Sequence, residues 1–249
     1  MLHADTTQPE STLRLEHVKA RPDLKVVESG SEWGARIDRS HPSRSAKVRL
    51  VDIVRDGMPR RGLGEEVNLW RMRNQRHLWR GAAKVLLARV LRQHRTWGGL
   101  WLTLVRSDGT EVRLGLASLE LVTTAGANFI VDAWQNIVEL ETAKYHGIGT
   151  GSTTPVIGNT TMNSESTTAL NPASTRATGT LAEGASANIF RSVGTLVAGS
   201  TIAAVEWGLW TQASTGGGTL IDHFVYSSKT LDPGDSLVGT VEITIPPGS

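Results

Sequence analysis

Residues 204–245 read AVEWGLWTQASTGGGTLIDHFVYSSKTLDPGDSLVGTVEITI. Val205, Trp207 and Leu209 share one face of an extended chain, and Val241, Ile243 and Ile245 share one face of another. Alternation with a period of two is the signature of a strand. STGGG and LDPGD separate the runs with turn-forming residues. Upstream the same rhythm continues, with ANIFRSVGTLV at 187–197 and TIAAVEWGLWTQ at 201–212. Several short strands at this spacing predict an antiparallel β-sandwich, jelly-roll-like, over residues 145–249.

The sandwich is entered through YHGIGTGSTTPV, residues 145–156. Its alternating glycines raise the question of a phosphate-binding loop. A P-loop requires a Lys after the last Gly, and none follows Gly151. A dinucleotide fingerprint opens a helix after a strand, whereas here Pro155 and further small residues oppose helix initiation. Gly147, Gly149, Gly151 and Pro155 are therefore expected to form a structural corner, where glycine permits positive φ or close backbone packing.

Before the sandwich, residues 48–144 are expected to hold helices and strands. KVRLVDIV, 47–54, reads as a first strand, ended by DGMPRRGLG. From 65 to 95 the pattern turns helical, with Trp79, Ala83, Leu86, Leu87 and Val90 forming one apolar stripe to be buried. Gly81 is expected to bend this helix or divide it. Asp108-Gly109 marks a hairpin between two strand-like runs, the first of which is expected to be covered on both faces. A second amphipathic helix follows, with Thr123 or Thr124 as N-cap and a stripe of Ile130, Ala133, Trp134, Ile137 and Val138. Residues 1–47 carry no sustained period and mix charge with proline, which predicts an extended N-terminal arm. The fold class is thus α+β.

Charge is divided along the 249 residues. Residues 121–249 contain four basic and ten acidic side chains, while residues 1–120 contain 22 basic and 14 acidic. A basic front and an acidic back are suited to attract one another between neighbouring copies, or the front to address a polyanion. The absence of cysteine removes disulfides, thiolate metal sites and Cys nucleophiles. No G-x-S-x-G elbow and no His pair at zinc-binding spacing occurs, so neither catalytic residues nor a metal or cofactor site is expected. Asp222, Asp232 and Asp235 are the weak candidates for calcium. No run is long enough to span a membrane, and the start has no secretory signal.

Eight tryptophans against three Phe and two Tyr suit interfaces, where a large ring is buried and its N–H stays wet. Trp33, Trp70, Arg73, Arg76, Trp79, Arg80 and Lys84 are the expected protein-interaction residues. The Arg-rich helix 65–95 also raises nucleic-acid binding. Trp207, Trp210 and Tyr226 are the aromatics expected to stack on sugars if the sandwich binds a glycan or receptor.

The ordered set Thr124-Ala125-Gly126, the corner 147–155, Gly217-Gly218-Thr219-Leu220 and Gly234-Asp235-Ser236-Leu237 resembles a group of small virion proteins of tailed bacteriophages. The similarity covers about residues 100–249. It implies a non-enzymatic accessory structural protein, of head-decoration, head-fibre or minor-tail type, assembled in the host cytoplasm. Its partners would be capsid or tail proteins and copies of itself.

Overall fold

The computed structural model describes residues 50–91 and 96–246. The expected arm, 1–47, and Trp33 lie outside the described residues. The chain is mostly β, with two antiparallel sheets packed face to face and a few helices on one side.

The region 47–54, expected as a strand, forms helix α1 instead, Leu50–Asp56. Leu50, Ile53 and Val54 stand at i, i+3 and i+4, and all three pack into one small cluster with Leu78, Ala82, Leu116 and Leu119. A strand would have divided them between two faces. The carboxylate of Asp56 accepts the N–H of Leu116 at 3.2 Å, tying α1 to the sheet.

Helix α2, Glu65–Val90, is unbroken at Gly81. Gly81 marks a close approach: a Cβ there would fall inside contact distance of the Leu119 carbonyl oxygen. Strands β1, Trp97–Val105, and β2, Glu111–Leu121, form the expected hairpin, closed by Gly109 at φ +86°. In β1, Leu100, Leu102 and Leu104 are buried, while Trp101, Thr103 and Val105 on the other face are only half-buried. Helix α3, Thr124–Trp134, is capped by Thr123, whose Oγ1 accepts from Gly126 N at 2.9 Å. It ends before Ile137, and Asn136 takes a φ of +58°. The buried residues of α3 are Gly126 and Phe129, and the expected stripe divides: Val138 packs against the core, Ile130 and Ala133 are half-buried, and Trp134 and Ile137 are exposed.

The remaining strands are β3 (Tyr145–Gly149), β4 (Ala177–Thr178), β5 (Thr180–Glu183), β6 (Ile189–Val197), β7 (Ile202–Trp210), β8 (Leu220–Leu231) and β9 (Ser236–Thr244). One sheet runs β2-β1-β9-β6-β5 and the other β4-β3-β7-β8. Strands from both sides of residue 145 meet in the first sheet, where β1 pairs with β9 along its whole length. Leu100, Leu102, Leu104, Leu237 and Val241 from that sheet share a core with Ile148, Trp207, Leu209 and Phe224 from the other.

Gly147 and Gly149 lie inside β3, not at a turn, and neither they nor Gly151 has positive φ. Close packing is their reason. A Cβ at Gly147 would sit 2.7 Å from Glu165 Oε1, and one at Gly151 would sit 2.5 Å from Asn163 Cβ.

Candidate interaction surface

Helix α2 covers the open side of the sandwich. It lies against β2 and β8, each the edge strand of its own sheet. Edge strands present unpaired backbone groups, which demand partners when covered. The inner face of α2 supplies them from side chains. Trp70 Nε1 donates to Ser227 O at 2.9 Å, Arg71 Nε to Leu114 O at 2.8 Å, and Asn74 Nδ2 to Ala117 O at 2.7 Å. Asn74 Oδ1 in turn accepts from Ser227 N at 2.8 Å. Burial therefore falls on Trp70, Arg71, Asn74, His77, Leu78 and Ala82. Burial pushes the His77 imidazole down to about 4, with the nearby Arg80 and Arg76 acting the same way.

The apolar stripe expected to be buried points outward. Trp79 is 55 % exposed, and Leu86, Leu87 and Val90 are exposed with it. Leu69, Met72, Arg76, Trp79, Ala83, Leu86 and Val90 follow one another at alternate steps of three and four, and all are exposed. That spacing is the seam by which one helix packs on another. Arg76 lies within this seam and Arg73 is exposed beside it, and α2 has no acidic residue after Glu66. Covering the exposed half of Trp79 and of the aliphatic side chains of the seam is worth about 1 kcal/mol each. The sum reaches only the low end of the roughly 4–15 kcal/mol entropy cost of association.

The expected interaction residues thus divide. Arg73, Arg76 and Trp79 form the outward face. Trp70 belongs to the core, held by Ser227, and is not available to a partner. Arg80 donates to Thr154 Oγ1 at 2.8 Å. Lys84 donates to Glu120 Oε2 at 2.5 Å and to the carbonyl of Pro155 at 2.7 Å. Both join α2 to the 150s loop. With Arg71, Arg80 and Lys84 engaged inside the fold, Arg73 is the free cation among the described side chains of α2, and Arg76 bonds only the neighbouring His77 ring.

The aromatics expected to stack on sugars are inside. Trp207 and Tyr226 are fully buried, and Trp210 lies beneath the Arg176 guanidinium, 3.6 Å from its ring centroid. Trp207 donates from Nε1 to His146 Nδ1 at 3.0 Å. Indole is only a donor, so His146 carries its proton on Nε2 and donates to Ser192 Oγ at 2.8 Å. Burial holds this imidazole neutral, down at about 3.

A second polar group sits under the 150s loop. Glu206, fully buried on β7, accepts from the N–H groups of Gly151, Asn163 and Ser164 and from His223 Nε2 at 2.7–3.0 Å. Burial opposes its charge, but the His223 bond and the three backbone donors outweigh that and hold it below the usual carboxylate range. The glycine-rich corner is therefore an anion cradle for the protein's own carboxylate. Asp222 is the reverse case. It accepts from His223 N, its Oδ2 has no hydrogen-bond partner, and burial raises its carboxyl well above normal. Burial also raises Glu120, against the pull of Lys84. The adjoining cavity, about 240 Å³, is lined by Leu121, Pro155, Val156 and Ile157 with the paired Lys84, Glu120 and His223. It is smaller than the roughly 300–1,000 Å³ usual for ligand pockets. Asp235 accepts from Arg106 at 2.8 Å, far from Asp222, and among the described residues no group is placed to hold a metal ion.

A second apolar surface lies at the end of α3. Val131, Trp134, Ile137 and Leu140 are exposed, Trp134 by 72 %, with the exposed acids Glu139 and Glu141 beside them. No protein-family model matches the chain, and neither a curated protein nor a solved structure does.

Proposed function

We propose that this chain is a non-enzymatic accessory structural protein of a tailed-bacteriophage virion, assembled in the host cytoplasm. In this reading the sandwich is jelly-roll-like and is displayed outward. Residues 1–47 attach it to capsid or tail proteins, and α2 binds a neighbouring subunit of the same particle. The observation that carries the proposal is the outward face of α2. A 3-4 seam with Trp79 at its centre, apolar but for Arg76 and flanked by Arg73, suits contact with another protein. Two pairs of ionisable groups beneath the 150s loop, Lys84 with Glu120 and His223 with Glu206, bond each other, which supports the same reading.

The test is co-sedimentation of the purified full-length chain with phage heads and with tails. Binding to one of them is expected, and W79A/R73E should weaken it only through the loss of contact between neighbouring bound subunits. A chain that sediments with neither overturns the proposal. Salt-sensitive retardation of DNA, lost in R73E/R76E, would overturn it in favour of nucleic-acid binding.

A further inference from the structure

We propose that the outward face of α2 docks on the acidic apolar surface at the end of α3 in a second copy of the chain. The two faces match in kind and oppose in charge. The first is the apolar seam about Trp79 with Arg73 and Arg76. The second is Val131, Trp134, Ile137 and Leu140 with Glu139 and Glu141.

Neither charge is neutralised by the described residues. Among the described residues Arg73, Glu139 and Glu141 make no side-chain hydrogen bond or ion pair, and Arg76 bonds only the neighbouring His77 ring. The two faces are also fixed in place. Trp70 and Asn74 hold α2 to Ser227, and Gly126 holds α3 tight against Ile221, so one chain does not fold its own seam onto its own acids. Pairing of α2 with α2 would offer Arg73 and Arg76 no carboxylate, because α2 has no acidic residue after Glu66. Pairing of α2 with α3 sets guanidinium against carboxylate and brings two exposed tryptophans into one buried patch. The charge imbalance between residues 1–120 and 121–249 pulls in the same direction.

The contact is between two different surfaces. It closes into a pair if each copy gives both faces to the other, and otherwise builds a ring or a row. It deepens the proposed function by supplying the contact between neighbouring subunits. Its test needs only the purified chain, so it fails separately from attachment to particles.

Sedimentation of the full-length chain, up to about 100 µM and at low salt, is expected to show an oligomer. R73E/R76E and E139K/E141K, each checked for a native circular-dichroism melt, are each expected to weaken self-association at least about tenfold. Mixing the two variants is expected to restore association, because each then carries the face the other needs. Raising the salt should weaken the wild-type oligomer. A wild-type chain that stays monomeric overturns the inference. So do charge-reversed variants that associate normally, or a mixture that stays apart.

Discussion

The side-chain amide of Asn74 accepts the N–H of Ser227 at 2.8 Å and donates to the carbonyl of Ala117 at 2.7 Å. Asn74 thereby joins the edge strands of two different sheets, β8 and β2, through one residue of α2. N74L should leave both backbone groups buried without partners and destabilise the fold by about 2–4 kcal/mol. Urea unfolding would measure this as a lower midpoint with an unchanged slope. A loss below about 1 kcal/mol would mean that the helix is held by its apolar residues alone.

Trp70 and Trp79 are nine positions apart on α2 and face opposite ways. W70A removes a buried ring and its bond to Ser227, and should cost about 3–5 kcal/mol. W79A should change stability by less than about 1 kcal/mol, because its ring is largely in water in the free chain. Thermal or urea unfolding of the two variants gives the comparison, and equal losses would refute the outward orientation of the seam.

G81A offers a test of sign. In an exposed helix, alanine stabilises by about 1 kcal/mol relative to glycine. At Gly81 the new Cβ meets the Leu119 carbonyl, which is backbone and cannot swing aside. The substitution is expected to destabilise by about 2 kcal/mol or more. A stabilised variant would show that α2 has room to move off β2.

The acid limb of stability should contain His146. Its imidazole is held neutral in the fold, down at about 3 from an ordinary 6.5. Its contribution is complete above 6.5 and is lost as pH falls from there toward 3, since only the unfolded chain readily takes the proton. H146Q should cost about 1–2 kcal/mol at neutral pH by altering the bonds to Trp207 and Ser192. It should also flatten the fall in stability between about pH 6.5 and 4. Unfolding free energies across that range decide the matter.

Asp222 behaves in the opposite direction. Burial raises its carboxyl well above the ordinary 3.8, with the nearby Glu120 adding to the rise. The neutral acid is the favoured folded form, so its contribution is complete below 3.8 and is lost as pH rises toward the folded value. D222N keeps the shape and removes the titration. It is expected to match the wild type near pH 4 and to be the more stable of the two at pH 7–8. A variant less stable at both ends would mean that the charged form is used.

Local pattern determined much of this protein. The alternation Val205-Trp207-Leu209 and the turns at STGGG and LDPGD yielded β7, β8 and β9, because strand period and turn chemistry act over a few neighbouring residues. Asp108-Gly109 located the hairpin and Thr123 the cap, for the same reason. Which face of α2 lies inward was decided by tertiary structure alone. Apolar residues occur on both faces of that helix, and hydrophobic period points to the wrong one. The inner face was chosen by edge strands some 40 to 157 positions away in sequence, whose free N–H and C=O groups require Trp70, Arg71 and Asn74. Leu50, Ile53 and Val54 read equally as strand or helix until α2 and β2 supply the cluster that wants them on one side. The glycines of 147–151 showed only that something passes close by. That it is Glu165 at Gly147, and the Glu206 carboxylate with residues 163–164 at Gly149 and Gly151, depends on contacts such as the pairing of β3 with β7, and no local pattern encodes a contact between segments so far apart.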